Sequence, residues 1–272
     1  MFAGFNLKLS EAFFDSNYYD YVDIGKENTD NSNLNEELDE HIINKFKERG
    51  ALNGDKIIKE WFPEIKCDIF ISHSHSDKDL AEAFSGWLKI NFGIKAFIDS
   101  NVWNYIDSLL EMLNSEYSNK RKNGLNGWLY DHSKCNIASQ HANIMLLMAL
   151  QKMIDNVEAV FFLNTDNSVN VIDNHGFSST YSPWIYAELL CADLIRKKNL
   201  EKYRSEHFLE HYDYNARSES RNELKINYNI TTDHLYKLNE NNMNEWCDKF
   251  KTKNNVLPMD LLYKLFINEE QN

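Results

Sequence analysis

From residue 67 onward the chain alternates short apolar runs with amphipathic stretches. Cys67-Asp-Ile-Phe-Ile-Ser72 is a compact apolar run suited to a buried parallel strand. Ser74-His-Ser-Asp77 follows as a polar loop. Leu80, Ala83, Phe84, Trp87, Leu88 and Ile90 then recur at helical spacing, with Gly93 as the stop. Residues 94–98 predict a second strand, and Asp99-Ser-Asn101 opens a loop at its C-terminal end. A strand–helix–strand unit of this kind fits a right-handed crossover in a parallel sheet. Further on, the spacing predicts a helix over 105–117 and a polar, irregular excursion over 119–139. A buried, Leu- and Met-rich helix over 144–154 precedes a third strand over 158–163. After a polar loop over 164–180, Ser182 suits a helix N-cap and Pro183 the first helical position, where its missing N–H costs nothing. The pattern weakens beyond Lys198. A strand over 224–230 and a terminal helix over 257–266 complete it, and no internal repeat is visible.

The first 64 residues read differently. The run from Glu27 to Glu37 is almost entirely Asn, Asp, Glu, Ser and Thr, the composition of a linker. Before it, Phe13, Phe14, Tyr18, Tyr19 and Tyr21 form an aromatic cluster able to dock on a larger body. After it, Leu38, Ile42, Ile43 and Phe46 have helical spacing, Gly50 offers a stop, and Trp61 and Phe62 offer an anchor. The expected organisation is a helical appendage over 1–64 followed by the main domain over 65–272.

Composition narrows the function classes. With 272 residues, 43% hydrophobic and 13% aromatic, the chain has ample material for a core. A formal net charge of −13 repels phosphate backbones, so nucleic-acid binding is not expected. Cys67, Cys135, Cys191 and Cys247 are scattered, with no CxxC pair, which argues against a zinc ribbon or a disulfide framework. No apolar window approaches the ~20 residues that span a bilayer, and no signal peptide is evident, so a cytoplasmic protein without a membrane partner is expected.

Three segments together resemble one family. Asp68-Ile-Phe-Ile-Ser-His-Ser-His-Ser-Asp77 is similar to the opening strand and loop of a TIR (Toll/interleukin-1 receptor) domain. Ala96-Phe-Ile-Asp-Ser100, with Trp103 just after, resembles its second strand and the start of its BB loop. Val160-Phe-Phe-Leu163, then Ser182-Pro-Trp184 and Glu188, resembles the third strand and the helix bearing the family's WxxxE motif. The resemblance is closest to the bacterial TIR proteins of antiphage systems such as Thoeris, and it covers residues 67–198. The excursion over 119–139, the helix after it, the long loop before Glu188 and residues 1–64 depart from the family pattern.

The resemblance implies a flavodoxin-like α/β fold, a central parallel sheet flanked by helices, and cleavage of NAD at the bond joining nicotinamide to ribose. Glu188 is then the catalytic carboxylate, and Trp184, Asp99, Trp103, Ser74, His75 and Ser100 are the expected substrate contacts. NAD is the substrate, and no resident cofactor or metal is expected. The product is ADP-ribose or a cyclic isomer, an antiphage signal for a downstream effector. The expected active form is a homo-oligomeric TIR–TIR assembly. Independently of the family, Trp184 and Glu188 lie four apart and so share a helical face. A single carboxylate suffices for this bond, because nicotinamide leaves as a neutral molecule and the developing oxocarbenium needs only a negative charge beside it.

Blander accounts exist for each residue. A helical glutamate is ordinarily a solvated side chain, Trp184 can be plain core, and Asp99 can simply cap the next helix. Many TIR domains are adaptors that only bind other TIR domains, so a non-catalytic TIR–TIR scaffold is the alternative. His207-Phe-Leu-Glu-His211 also matches the H-x-x-E-H pattern of inverted zinc peptidases. It lies in a highly charged stretch with no evident third ligand, and a solvated helix is the default there.

Overall fold

In the computed structural model the described residues are 1–29, 45–48, 51–62, 65–98, 100–123, 127–171, 178–195, 197, 228–253 and 255–267, with the backbone alone at 29, 100–105 and 171. The chain opens with β1 (Ala3–Lys8), a 3-10 turn, and α1 (Tyr18–Thr29). A two-residue hairpin, β2 (Lys47–Glu48) and β3 (Ala51–Leu52), leads to α2 (Gly54–Trp61). Then come β4 (Ile69–Ser72), α3 (Lys78–Phe92), β5 (Ala96–Ile98) and α4 (Ser100–Tyr117). A second hairpin, β6 (Arg121–Asn123) and β7 (Gly127–Leu129), precedes α5 (His132–Asn156) and β8 (Ala159–Leu163). The remainder is β9 (Asn170–Val171), β10 (Ser178–Thr180), α6 (Pro183–Leu194), β11 (Tyr228–Ile230), β12 (Tyr236–Asn239), α7 (Glu240–Lys251) and α8 (Pro258–Phe266).

Five strands form one sheet in the order β12-β1-β8-β4-β5, and every pairing is parallel. Successive side chains of each strand point to opposite faces, and both faces are apolar. Phe5, Leu7, Ile69, Ile71, Phe161 and Leu163 face a core closed by α1, α3, α7 and α8. Phe70, Phe97 and Val160 face a second core closed by α2, α4, α5 and α6. The result is an α/β molecule with a central parallel sheet covered on both faces, compatible with the flavodoxin-like class. Among the described residues no helix is long and apolar enough to cross a membrane.

The strand over Cys67–Ser72, the helix ending at Gly93, the third strand and the last helix stand where the hydrophobic pattern predicts them. Gly93 caps α3 with φ 69°, the left-handed conformation glycine adopts without strain. The aromatic cluster docks as expected, with Phe13 edge-on to Trp87 of α3 at 5.3 Å. Four expectations are corrected.

The N-terminal appendage is not wholly helical or peripheral. Ala3–Lys8 is an interior strand, pairing Ala3 with Ala159 and Phe5 with Tyr236. The excursion expected over 119–139 is instead a hairpin followed by the first two turns of α5, which starts at His132 with Asp131 capping its first N–H groups. That helix is not uniformly buried, because Ile144 is 61% exposed. The loop expected at Ser100 is already helix, since α4 begins there.

The topology follows from the first of these. From its β5 edge the sheet runs second-first-third, as in the flavodoxin order, with β4 as first, β5 as second and β8 as third. The next position is filled by the N-terminal β1, and β12 completes the sheet.

Candidate functional site

β4 ends at Ser72, and His73 and Ser74 carry the chain into a 3-10 turn, His75–Asp77, that runs directly into α3. On the adjoining side, Ser182 accepts a hydrogen bond from the Ile185 N–H at 3.2 Å and so fixes where α6 begins. With Pro183 at the first position, Ile185, Glu188 and Leu189 fall on the inward face. Glu188 therefore reaches the C-terminal end of β4, where its Oε2 accepts a hydrogen bond from Ser72 Oγ at 2.7 Å. Serine and glutamate are 0% and 1% exposed. A carboxylate so enclosed is costly unless hydrogen-bonded, and an O–H donor at this distance is of the strong, charge-assisted kind. One turn later, burial pushes the Cys191 thiol above its ordinary range, and the neighbouring Glu188 charge pushes the same way. That favours the protonated thiol over the thiolate form.

The pair lies at the switch point of the sheet. β4 is flanked by β5 on one side and by β8 on the other, so the pair stands at the C-terminal strand ends where open α/β sheets bind ligands. Asp77 ties together the loops that follow β4 and β8. Its Oδ2 accepts from Thr165 Oγ1 at 2.6 Å and its Oδ1 from Asn167 Nδ2 at 2.7 Å. Ser168 Oγ donates to the Leu163 carbonyl at 2.8 Å, which fixes the turn that presents Thr165 and Asn167. Asn164 Nδ2 donates to Asn6 Oδ1 at 2.9 Å and joins β1 to the same loop. Beside the strand end, buried Glu82 of α3 has its carboxyl raised above the usual carboxylate range by burial. The charges of Lys78, Lys26 and His73 pull it the other way.

Of the residues singled out in the sequence, Glu188 stands at these strand ends. Ser74 is half-buried beside them, and its carbonyl accepts the Asp77 N–H at 2.8 Å. His75 is exposed, whereas His73 before it is buried with Nδ1 3.4 Å from the Ile71 carbonyl. Trp184 is half-buried against the core under α6. Asp99 lies outside the described residues, and Ser100 and Trp103 are described only as backbone of α4. The His207–His211 motif also lies outside them.

Ser72 and Asp77 were not singled out as site residues. Ser72 had one legible signal, a hydroxyl closing an otherwise apolar strand. The role of Asp77 had none, because its partners lie 88 and 90 residues away.

Among the described residues no three His, Cys, Asp or Glu side chains gather as a metal site. A separate cavity of about 210 Å³ lies between α6 and β11. In its wall His234 Nδ1 stands 3.7 Å from Asp193, and burial lowers the pKa of that histidine. Comparison of the chain with protein-family models, with curated proteins and with solved structures gave no match.

Proposed function

We propose that this chain is a TIR-type NAD glycohydrolase or cyclase that uses Glu188 as its catalytic carboxylate. The observation that carries the proposal is the Ser72–Glu188 pair at the C-terminal tip of a parallel sheet, held at 2.7 Å. Ligands of open α/β sheets bind at such tips. The serine holds the carboxylate in one orientation, as electrostatic stabilisation of a developing charge requires. In the proposed reaction the C–N bond between nicotinamide and ribose breaks, and its electron pair returns to the pyridine ring. Glu188 stabilises the oxocarbenium that remains. Water then attacks the anomeric carbon and loses a proton to give ADP-ribose, or an adenine nitrogen attacks to give a cyclic isomer. Because Glu188 is 1% exposed, a ribose reaches it only when the side chains over it move aside.

The same burial favours the second reading, a non-catalytic TIR–TIR adaptor in which Ser72–Glu188 is a structural bond. Incubation of the purified chain with NAD, with nicotinamide followed by chromatography, separates the two. The enzyme reading expects nicotinamide release that falls by roughly a hundredfold or more in Glu188→Gln, and by about tenfold in Ser72→Ala, with the fold preserved. Equal turnover by Glu188→Gln, or none by the wild type alone or with lysate of phage-infected cells, rejects it.

A further inference from the structure

α5 is 25 residues long, and from Cys135 to Gln151 it carries no Asp, Glu, Lys or Arg, in a chain that is 26% charged. The core accounts for its inner face, where Ala142, Leu146 and Leu150 are buried. Its outer face carries an apolar stripe among exposed polar residues such as Asn136, Gln140 and Asn143. Ile137, Ile144 and Met148 are 54%, 61% and 44% exposed, with His141 exposed among them. The intervals four, three and four are those of a seam in knobs-into-holes helix pairing. Lys134 and Gln151 continue the spacing at either end and give the seam polar margins, as interface rims have.

The stripe is complementary to itself. A two-fold axis passing between Ala142 and Asn143, perpendicular to the helix, exchanges position 137 with 148 and 141 with 144. Every seam residue of one copy then meets a seam residue of the other, an isologous contact. Beside the N-terminal half of the seam runs a groove of about 570 Å³, walled by Leu52, Ile57, Leu113 and Tyr117, with Ile137 and His141 on its α5 edge. In the two-fold arrangement, the partner's Met148 and the partner's Ile144 stand opposite those two edge residues. Each copy thus offers a ridge to the other's groove.

Charge favours the same occupant. Each copy carries −13, so an uncharged face is where two copies approach without a like-charge pair. Antiparallel pairing sets the positive N-terminal end of each helix beside the negative C-terminal end of the other. It also places Lys134 within a turn of the partner's Asp155. From Lys134 to Gln151 the helix runs for about 27 Å. A face of that length buries a few hundred Å² per copy, against the about 800 Å² per partner of a standard stable complex. The pairing is therefore reversible.

We propose that α5 is a homodimerisation surface through which two copies of this chain pair antiparallel along Ile137, His141, Ile144 and Met148. The proposal does not depend on the NAD reading. Sedimentation velocity of the full chain over about 1 to 200 μM, the range in which so small an interface associates, tests it. The wild type shifts from monomer toward dimer across the range. Ile144→Glu weakens association by at least about tenfold, because like charges meet near the axis. The thermal unfolding of this variant matches the wild type, since Ile144 is exposed in the monomer. Ile90→Glu, at an exposed site on α3, leaves association unchanged. The register is read by oxidising a mixture of Ile137→Cys and Met148→Cys, both in a Cys135→Ser background: the mixture cross-links, and neither variant does alone, because each lies about 16 Å along the helix from its own copy. A wild type that stays monomeric throughout, or an Ile144→Glu that dimerises as well as the wild type, overturns the proposal. Cross-linking of a single variant with itself overturns the antiparallel register.

Discussion

Glu82 shows how one buried residue ties stability to pH. Its carboxyl has an ordinary value of 4.5 in the unfolded chain and a raised one in the fold, chiefly through burial. The folded state therefore holds this proton more tightly than the unfolded state. The stability linked to it is fully present below the unfolded value and is lost as pH rises through the raised folded value. Glu82→Gln, which keeps the shape and removes the charge, is expected to raise the melting temperature at pH 8 by a few degrees, about 1 kcal/mol. The gain shrinks as the buffer is taken toward pH 4.5, and calorimetry across that range reads it. A gain that grows on acidification contradicts the assignment. At this scale the sequence was only partly legible. Ser182 was marked by local pattern, because a helix start is written in two or three adjacent residues, whereas Glu188 was singled out by the family resemblance. Ser72 and Asp77 took their meaning from partners more than 80 residues away, which no local pattern records.

Among the elements, α1 and α3 cross at two glycines. A Cβ on Gly86 would overlap the Tyr21 carbonyl oxygen, and one on Gly25 would overlap the Glu82 carbonyl. Both obstacles are backbone, so neither rotates away, and the two helices would have to separate. Gly86→Ala is expected to cost about 3 kcal/mol or more in urea unfolding, at or beyond the upper end for overpacked cores. Gly54→Ala, whose Cβ meets only the tip of Met145 at 3.6 Å, serves as the control and is near neutral. The sequence predicted α3 and its stop from amphipathic spacing, and the core bears that spacing out except at Ile90, which is exposed. It misread α5, because Leu and Met on both sides suggested full burial. One of those sides faces outward. Periodicity reports where apolar residues lie on a helix, and a second apolar face reads like the interior.

Across the whole molecule the decisive feature is the placement of β1 between β8 and β12. Phe5 is fully buried, 4.8 Å from the ring of Phe161, so it belongs to the same core as the site-bearing strands. Phe5→Ala is expected to cost about 3–5 kcal/mol and to lower stability everywhere together. Fluorescence and far-ultraviolet circular dichroism should then report one shared, earlier transition. Two separate transitions would mean that the first residues form an independent unit. The apolar pattern conceals this strand because Gly4 and Asn6 interrupt its apolar residues. Once three strands were legible, the α/β class followed. The order of the sheet did not, since it depends on which distant segment fills the remaining position.

That placement also shapes how the chain assembles as it is made. β1 is synthesised well before residues 159–163 and 236–239, with which it pairs, so until they emerge it has no neighbour on either edge. Contacts of such long sequence separation form slowly, and a waiting apolar strand invites association with other nascent chains. Chains released early, before residue 236, present an open sheet edge beside β1 where β12 would lie, which makes them natural clients for chaperones and proteases.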